Sequence, residues 1–354
     1  MPESTLQTQP QPQSPEQAAA ELNRLINGYQ STQLIYVAAV LGLADHLAQG
    51  PQTSETLATL VEANPTALYR LLRALAALGV LHEHEQPPQT FSLTPMGDCL
   101  RSNAQPSIRP WATFVAQPHR WQTWGHLLQS VKTGENAFQA VLGMDSWTYR
   151  QQNPEQGAIF NAAMTVNAQR INAAIVSAYD FSRYHRICDI GGGQGALLAA
   201  ILAASTQTQG TLFDLPHVVN SAGPVLDAAG VAGRCQTMGG SMFDSVPPAC
   251  NLYLLKFILH DWNDHDCLRI LQACRRSMPE NATLLVIEYL IGPPNQGLAT
   301  KLSDLNMLLG PGGQERTQAE FATLFQNAGF LLKQVLPTSA PVNLLVLEPA
   351  LTCP

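Results

Sequence analysis

Two polar side chains directly follow a run of apolar residues in the stretch LKFILHDWND, residues 255–264. His260 and Asp261 are costly to bury, whereas a buried strand commonly ends in turn residues such as Gly, Pro or Asn. An imidazole titrates near neutral pH and is therefore suited to moving a proton during a reaction. The alternative is a structural histidine that closes a strand.

A second candidate site is the glycine-rich stretch RICDIGGGQGALLAAIL, in which a strand leads through glycines into a helix. Glycines at such a turn allow backbone N–H groups to approach a ligand closely. Gly191, Gly193 and Ala196 also satisfy the dinucleotide pattern G-x-G-x-x-A, which is a weak signal by itself. Asp214 ends the next predicted strand, where a carboxylate commonly binds ribose hydroxyls. The pattern therefore predicts a cofactor that contains a nucleoside.

Asp189 narrows the choice of cofactor because it lies two residues before the first glycine. A pyrophosphate would repel a carboxylate at this position, whereas a cofactor with an ammonium group would be attracted to it. S-adenosylmethionine has an amino group, a sulfonium and no phosphate, so it is favoured over a nicotinamide dinucleotide. The alternative role for Asp189 is to hydrogen-bond the loop and fix its shape.

After Arg186 the chain alternates between short apolar runs and helical segments, which is typical of a doubly wound sheet. The predicted strands are RICDI, GTLFDL, RCQTM, CNLYLLKFIL, ATLLVIEYL, FLLKQVL and NLLVLEP. In open sheets of this kind, ligands bind at the carboxyl ends of the strands. We therefore expect the glycine loop and His260 to lie at the same edge of the sheet.

The N-terminal third shows the order helix, turn, helix and small hairpin, which is typical of a winged helix. Asn64 and Pro65 supply a helix cap and a first-turn proline, and Gly79 ends that helix. Two extended pieces, VLHEH and TFSLT, follow it. Residues 105–180 are predicted to be mainly helical.

Winged helices often bind DNA, so a regulator is a competing interpretation. Between residues 51 and 101 there are five acidic and three basic side chains, and a DNA-binding module needs the opposite balance. These side chains are Glu55, Glu62, Glu83, Glu85 and Asp98 against Arg70, Arg73 and Arg101. A scaffolding or dimerisation role is therefore preferred.

The composition of the 354 residues supports a globular protein of about two domains, with 45% hydrophobic and 13% charged residues. The formal charge of −7 argues against a broad nucleic-acid surface. The seven cysteines lack the spacing of a disulfide framework. The N-terminal stretch lacks the features of a signal peptide, and the longest apolar run is too short to span a bilayer. A cytoplasmic location is expected.

The chain resembles the S-adenosylmethionine-dependent O-methyltransferases of the plant caffeic acid type and their bacterial natural-product relatives. The resemblance extends from about residue 30 to residue 348. It rests on motifs in the family's order: YRLLRALAALGVL, DIGGGQG, FDLPHVV, GGSMFDSVP, LLKFILHDWND and GGQERTQAEFATLFQNAGF.

The resemblance implies an α/β protein in which a Rossmann-like methyltransferase domain with a seven-stranded, mostly parallel sheet follows an all-helical, winged-helix-like dimerisation domain. A homodimer that joins through the N-terminal domain is expected, without nucleic-acid or membrane partners. The implied segments are a disordered tail at 1–15, the dimerisation domain at 16–104, a helical linker and acceptor region at 105–180, and the methyltransferase domain at 181–354.

The resemblance also implies the residues that bind S-adenosylmethionine. They are Asp189, Gly191 and Gly193 at the methionine part, Asp214 and Leu215 at the ribose, Met242 and Phe243 at the adenine, and Lys256 at the cofactor. The family usually has an aspartate where this chain has Ser241. A serine hydroxyl can still accept a hydrogen bond, but it cannot supply a carboxylate to the adenine or its sugar edge.

His260 matches the family's catalytic base, which would remove the proton of an acceptor hydroxyl. A phenol is mostly protonated at neutral pH and needs such a base before it can attack a methyl group. Glu288 and Glu315 align with the acids that flank this base and orient it, and Asp261 is expected to help position it. Each glutamate has the alternative of a structural ion pair. No metal is expected.

Resemblance places Met164, Asn306 and Met307 along the acceptor site, although both methionines also fit core helix faces. Trp111, Phe114 and Trp147 are weaker candidates. The expected acceptor is an aromatic or polyketide-like hydroxyl compound. Competing functions are a nitrogen acceptor on the same fold, a relative that performs decarboxylation or hydroxylation, the winged-helix regulator and an NAD-linked dehydrogenase.

Overall fold

The computed structural model describes residues 14–350, apart from the side chains of residues 167, 169 and 170. Most of the predicted disordered tail, residues 1–13, lies outside the described residues. Ser14 is already ordered: it caps the first helix through a hydrogen bond from the Gln17 backbone, and Pro15 is the helix's first residue. The chain divides into two compact units, with the boundary between Gln117 and Pro118.

The first unit is mostly helical, and capping residues in the sequence set where its central helices begin. Thr53 caps α4, and Asn64 caps α5 with Pro65 in the first turn, as the sequence predicts. Its helices are α1 (Pro15–Ile26), α2 (Gly28–Val40), α3 (Leu43–Leu47), α4 (Ser54–Leu60), α5 (Pro65–Ala77), α6 (Pro95–Asp98) and α7 (Arg109–Val115).

The core of this unit lies between α5 and its neighbours. Leu68, Leu72 and Leu75 recur at helical spacing on α5, and all three are buried in one cluster with Leu43 and Leu57. The predicted hairpin is formed by β2 (Leu81–His84) and β3 (Thr90–Leu93). β1 (Gln52–Thr53) pairs with β3 and makes a three-stranded antiparallel sheet, so the unit is winged-helix-like but not purely helical.

The second unit begins with helices and continues as alternating strands and helices. Its helices are α8 (Pro118–Gly125), α9 (Leu127–Thr133), α10 (Ala137–Leu142), α11 (Ser146–Gln152), α12 (Pro154–Ala178), α13 (Ala196–Ala204), α14 (Pro216–Val219), α15 (Gly223–Ala228), α16 (Asp264–Ser277), α17 (Leu298–Leu309) and α18 (Gln318–Asn327). Its strands are β4 (Arg186–Ile190), β5 (Gln209–Asp214), β6 (Cys235–Gly239), β7 (Leu252–Lys256), β8 (Thr283–Glu288), β9 (Phe330–Pro337) and β10 (Asn343–Pro349). Two 3₁₀ turns cover Ala232–Arg234 and Leu259–Asp261.

The seven strands form one sheet in the order β6-β5-β4-β7-β8-β10-β9. β4 to β8 are parallel, and β10 runs antiparallel to both β8 and β9. The chain moves outward from β4 to β6 and then returns to place β7 on the other side of β4. This reversal opens a crevice at the carboxyl ends of β4 and β7, where open α/β sheets bind ligands.

Both faces of the sheet are buried, because alternate residues of each strand enter different apolar clusters. On β7, Leu252 and Leu254 belong to one cluster, whereas Tyr253 and Leu255 belong to the other. Helices cover each face, which explains why the sequence shows nearly continuous apolar runs here. The predicted α/β fold class is confirmed.

One predicted strand is too long. The run 250–259 was expected to be extended, but β7 ends at Lys256 because Phe257 adopts a φ of +54°. A left-handed backbone turns the chain out of the sheet, and His260 therefore lies in a 3₁₀ turn rather than at a strand end. No helix within residues 14–350 has both the length and the apolar character needed to cross a membrane.

Candidate active site

The glycine loop follows β4 and lies at the crevice. Gly191 and Gly193 have φ values of +67° and +60°, which L side chains rarely adopt. A Cβ on Gly191 would lie 2.4 Å from Cδ1 of Ile258, so this glycine is needed for close packing against the turn that carries His260. A Cβ on Gly193 would meet no described atom within 4 Å. The loop thus packs tightly at one glycine and is open at the other.

Asp214 ties the glycine loop to the end of β5. Its Oδ2 accepts the backbone N–H of Gly193 at 2.8 Å, and its Oδ1 accepts that of Leu215 at 2.7 Å. Each carboxylate oxygen keeps a lone pair that can accept from a ligand hydroxyl. Leu215 itself is exposed. The predicted ribose-binding pair therefore lies directly beside the loop.

Asp189 and Lys256 form a buried, charged centre beneath the loop. Burial raises the pKa of Asp189 to about 7, although Lys256 opposes this shift. Burial also lowers the pKa of Lys256 to about 8 against the attraction of Asp189, and its Nζ donates to Asn172 Oδ1 at 2.8 Å. Asp189 Oδ2 is buried and accepts no hydrogen bond from the described residues.

The unpartnered oxygen gives a test of the predicted cofactor. A buried carboxylate oxygen without a donor is costly, and an ammonium group supplies both a donor and a compensating charge. A phosphate supplies neither. The unpartnered carboxylate oxygen at the loop therefore fits the amino-acid end of S-adenosylmethionine, whereas it does not fit a pyrophosphate.

The segment after β6 lies against the same loop. Met242 Sδ would be 4.0 Å from a Cβ on Gly191, and both Met242 and Phe243 pack against the core cluster that contains Ile258. Phe243 also meets the edge of Trp262, with 4.8 Å between ring centroids. Ser241 Oγ accepts the Phe243 N–H at 3.3 Å, so this hydroxyl holds the turn of its own segment. The predicted adenine-side residues are thus brought to the loop.

The turn that carries His260 is held by the carboxylate of Glu288. Glu288 Oε1 accepts three consecutive backbone N–H groups, those of Ile258, Leu259 and His260, at 3.1, 2.9 and 3.4 Å. These donors would otherwise be orphaned at the start of the 3₁₀ turn. Glu288 was predicted to orient the imidazole, and its Oε2 does lie 3.5 Å from His260 Nδ1. Its hydrogen bonds nevertheless go to the backbone.

The imidazole of His260 is surrounded by carboxylates. Its Nδ1 lies 3.2 Å from Glu315 Oε1, and its Nε2 lies 3.7 Å from Asp261 Oδ1. Burial of the ring disfavours the charged form, but Glu288, Asp261 and Glu315 outweigh burial and raise the pKa of His260 to about 10. Phe257 stacks on the ring with 5.4 Å between centroids and an angle of 12°. The ring is therefore fixed and strongly basic.

The pKa values of two acids in this cluster are also shifted. Burial raises the pKa of Glu288 to about 7 and raises that of Asp261, although His260 opposes both shifts. His260, Glu288 and Glu315 each offer one ligand atom within 4.8 Å of the others, a spacing that could also hold a metal ion. The sequence predicts no metal here. The backbone hydrogen bonds occupy Glu288 Oε1, whereas Glu288 Oε2 and Glu315 Oε2 accept none from the described residues.

Several residues that support the cluster were not found in the sequence. Ser303 Oγ donates to Glu315 Oε1 at 2.7 Å, and Asp304 Oδ1 accepts the Glu315 backbone N–H at 2.9 Å. Arg316 is fully buried and donates to the carbonyl oxygens of Leu259 and Trp262 at 3.0 and 2.9 Å. Only the position of Arg316, immediately after Glu315, could have drawn attention to it.

The predicted acceptor residues have different outcomes. Asn306 lies on α17 one turn after Ser303, and its Oδ1 accepts from Arg120 Nη2 at 3.3 Å and Trp124 Nε1 at 3.2 Å. Met164 on α12 and Met307 on α17 are partly exposed. These two residues remain predictions.

The weaker acceptor candidates lie in different parts of the chain. Trp111 and Phe114 belong to the first unit, and Trp147 lies on α11 of the second. Arg150 covers the Trp147 ring with its guanidinium. Arg120 and Arg150 were missed because an isolated arginine in a helical segment gives no motif.

A doubly wound sheet with a buried carboxylate beneath a glycine loop and a largely buried, basic imidazole beside it is the arrangement expected of a methyltransferase that uses S-adenosylmethionine. Family models agree: the O-methyltransferase domain matches residues 124–331, and the O-methyltransferase dimerisation domain matches residues 23–103. The chain belongs to the S-adenosylmethionine-dependent O-methyltransferases. The dehydrogenase and regulator interpretations are therefore wrong.

Individual relatives cover nearly the whole chain. The phenazine O-methyltransferase PhzM of Lysobacter antibioticus is 40% identical over 93% of this chain and 95% of its own length. A mitomycin biosynthesis 6-O-methyltransferase of Streptomyces lavendulae is 35% identical over 97% and 99%. An 8-amino-8-demethylriboflavin N,N-dimethyltransferase of Streptomyces davaonensis is 37% identical over 86% and 88%.

Solved structures give the same result. The crystal structure of LaPhzM superposes with a TM-score of 0.89 at 40% identity and covers 94% of this chain and 99% of that one. Human N-acetylserotonin methyltransferase in complex with S-adenosylmethionine superposes with a TM-score of 0.87 at 26% identity, over 96% and 100%.

Proposed function

We propose that the protein methylates a hydroxyl group of a small aromatic or polyketide-like metabolite, with His260 as the general base. The observation that carries this proposal is the buried imidazole of His260, held among three carboxylates in a turn whose Ile258 packs against Gly191 of the cofactor loop. The base and the cofactor loop therefore meet at one edge of the sheet. This is the place where an acceptor oxygen must be deprotonated.

The contacts of His260 assign a role to each ring nitrogen. With its proton on Nδ1, the ring donates to Glu315, and Nε2 is left to accept the proton of the acceptor hydroxyl. A pKa of about 10 is close to that of a phenol, so transfer of the proton from a phenol to the neutral ring costs little free energy. The neutral ring is the minor form at neutral pH and becomes more abundant as the pH rises toward 10. Glu315 and Asp261 then stabilise the imidazolium, and Glu288 keeps the turn in place. These three acids are positioning residues.

S-adenosylmethionine supplies, when bound, an electrophilic methyl group whose bond to sulfur breaks as the acceptor oxygen takes it. The chain's own residues would hold that cofactor: Asp189 would accept hydrogen bonds from its ammonium group, and Asp214 would accept them from its ribose hydroxyls. Gly191 and Gly193 let the backbone approach it. Met242, Phe243 and the Ser241 hydroxyl lie on the adenine side. Lys256 keeps Asp189 charged, and Leu215 lies beside the ribose.

Asn306 is proposed to bind the acceptor, together with Met164 and Met307. Its amide Oδ1 is already fixed by Arg120 and Trp124, so it has a defined orientation. Relatives are named for phenazine and mitomycin O-methylation, which supports a ring-containing acceptor. We propose that residues 105–180 contribute to this site and that residues 181–354 bind the cofactor.

A nitrogen acceptor is the second candidate, because one relative is named an N,N-dimethyltransferase. A neutral amine attacks through its own lone pair and loses a proton only after the methyl group is transferred, and His260 could accept that proton. The test is incubation of the protein with methyl-labelled S-adenosylmethionine and a panel of phenols, flavonoids, polyketides and matched anilines, with and without EDTA. The labelled methyl group is expected on hydroxyl oxygens, and His260→Ala is the negative control for transfer to them. Label on anilines alone would overturn the oxygen proposal, and loss of transfer in EDTA would require a metal.

We propose that the protein is a homodimer that joins through residues 16–104. The dimerisation-domain match supports this, and so does α1, which has no buried residue in its own chain. Leu22, Leu25 and Ile26 form an apolar stripe on one face of that helix, and their exposed fractions are 60%, 61% and 63%. A second copy of the chain would cover it.

Light scattering during gel filtration tests the dimer, for which twice the 38.3 kDa chain mass is expected. Leu25→Glu should shift the mass toward the monomer because it places a charge in the apolar stripe. Ala20→Glu, on the opposite face of the helix, is the matched control and should leave the dimer intact. A monomeric native protein would contradict the proposal.

A further inference from the structure

Two arginines interact with residues of the proposed reaction centre: Arg120 donates to Asn306, and the charge of Arg150 is attracted by Asp261. Arg120 is on α8 and Arg150 is on α11, and each has a buried nitrogen in its guanidinium group, Nε in Arg120 and Nη1 in Arg150. The Arg150 guanidinium lies 4.6 Å from the centroid of the Trp147 ring and 3.8 Å from that of Phe160. Such stacking fixes the plane of the guanidinium.

One nitrogen of the Arg150 guanidinium lacks a hydrogen-bond partner among the described residues. Its Nη1 is buried and donates to no described acceptor. No carboxylate within residues 14–350 forms an ion pair with it at 4 Å or less. A buried charge without a hydrogen-bonded counter-ion is costly, so a fixed guanidinium of this kind is suited to an anionic ligand.

Helix α17 lies between this cationic region and the base, and two of its residues form hydrogen bonds, one toward each. Arg120 Nη2 donates to Asn306, which is one helical turn after Ser303, and Ser303 donates to the Glu315 oxygen that faces His260. Asp261, the residue after His260, acts on Arg150 from the other direction by attracting its charge. Burial also lowers the pKa of His119 to about 4, and the positive charges of Arg120 and Arg150 add to this shift.

We propose, on the basis of the methyltransferase function above, that the acceptor is a hydroxylated aromatic carboxylic acid whose carboxylate binds Arg150, with Arg120 adding positive charge. The guanidinium fork matches the two oxygens of a carboxylate. One end of the acceptor would then be anchored at Arg150 while its hydroxyl lies at His260. A neutral phenol would leave Nη1 of Arg150 without an acceptor.

A second role for Arg150 gives a different result in the same experiment. If Arg150 served only to balance the charge of Asp261, its loss would change the base and would slow every acceptor equally. Matched acceptor pairs separate the two roles, because an acid and its amide have nearly the same shape and differ in charge.

The experiment compares kcat/KM for hydroxybenzoates and hydroxynaphthoates with kcat/KM for their carboxamides. The native protein should prefer the acids. Arg150→Leu should lose about 10- to 100-fold on the acids, the effect of one charged hydrogen bond, and change by less than about threefold on the amides. Arg150→Lys should recover part of the preference. Lys132→Leu, an exposed residue on α9, is the control for net charge.

Equal losses on acids and amides, or a native preference for amides, would overturn the inference. Labelling of neutral phenols without a preference for acids would overturn it while leaving the O-methyltransferase proposal intact, whereas failure to label any hydroxyl compound would overturn the proposed function itself. Competition on the native protein covers the case in which Arg150→Leu does not fold: benzoate should inhibit competitively against the acceptor, and benzamide should not. Equal inhibition by both would also count against the carboxylate site.

Discussion

The crevice at the carboxyl edge of the sheet contains two charged centres that are built differently. Around Asp189, a carboxylate oxygen is buried without a donor, and Gly193 faces open space. Around His260, Glu288 alone accepts three backbone N–H groups, and Glu315 is bonded by Ser303 as well as facing the ring. Glu288 Oε2 and Glu315 Oε2 are also buried without a donor among the described residues, so the two centres differ in how firmly the protein holds them. The first centre lies beside an open part of the loop, whereas the second is fixed by hydrogen bonds within the protein.

This difference follows from what each centre has to do. A binding site gains affinity when a ligand satisfies groups that the protein leaves unsatisfied. A base gains rate when it is held in one orientation before the substrate arrives. Changes at Asp189 should therefore act on cofactor binding, whereas changes around His260 should act on turnover.

The largest effect is expected for His260→Ala. Loss of the general base should lower kcat by about 10²- to 10⁴-fold, while the dissociation constant for S-adenosylmethionine stays within about twofold because the ring does not bind it. Steady-state kinetics and titration calorimetry measure the two quantities. Near-normal turnover in this variant would end the general-base proposal.

Asp189→Asn should show the opposite pattern. Loss of a charge-assisted hydrogen bond should weaken S-adenosylmethionine binding by about 10- to 100-fold, with kcat at saturation nearly unchanged. Asp227→Asn is the exposed control. A variant that loses kcat but binds S-adenosylmethionine normally would contradict the role of Asp189 in cofactor binding.

The same carboxylate predicts a pH dependence of binding. The pKa of Asp189 is raised to about 7, so the group that attracts the ammonium is ionised above that pH and is neutralised below it. Affinity for S-adenosylmethionine should fall about tenfold per pH unit below 7 until it levels off at the roughly 10- to 100-fold weaker binding of the neutral side chain. Lys256, with a pKa of about 8, stays protonated in that range, and Asp214 faces the same loop. The dependence should disappear in Asp189→Asn.

Glu315→Gln should move the pH profile of turnover. Carboxylates hold the pKa of His260 at about 10, so the neutral, active ring becomes more abundant as the pH rises toward that value. Removing one carboxylate lowers this pKa, and the rise in kcat/KM should therefore end at a lower pH. The same acceptor is used throughout so that its own ionisation cancels. Glu135→Gln is the exposed control, and an unmoved profile would mean that Glu315 does not act through the ring.

The smallest effect is expected for Ser303→Ala, which removes one hydrogen bond to Glu315. A net loss of about 0.5–1.5 kcal/mol corresponds to about a 2- to 12-fold decrease in kcat. Cofactor affinity should be unaffected. A weakened dissociation constant for S-adenosylmethionine would show that the two centres are not separate.

Much of the fold and of the cofactor loop could be predicted because their signals are local. Strands and helices appear as apolar patterns of short period, and Asp189, Gly191 and Gly193 are contiguous with the strand that positions them. The end of β7 was missed, since Phe257 is not a turn residue, and the turn after it is held by Glu288, which is 30 residues away from Ile258 in the sequence.

The site residues that sequence analysis did not find make contacts with residues distant in the sequence. Arg316 binds carbonyl oxygens more than fifty residues away, at Leu259 and Trp262, and the turn that carries them has no sequence pattern of its own. Arg150 was overlooked for the same reason, because its stacking on Phe160 and its closeness to Asp261 exist only in the folded chain.

The amino-acid sequence by itself determined which chemical groups are present, the order of the strands along the chain and the glycine loop that a cofactor with an ammonium group requires. Only the tertiary structure decided how strongly basic His260 is and which atoms are left without partners. The physical reason is that backbone preferences act over a few residues, whereas the charge of a buried group depends on every carboxylate and guanidinium that folding brings next to it.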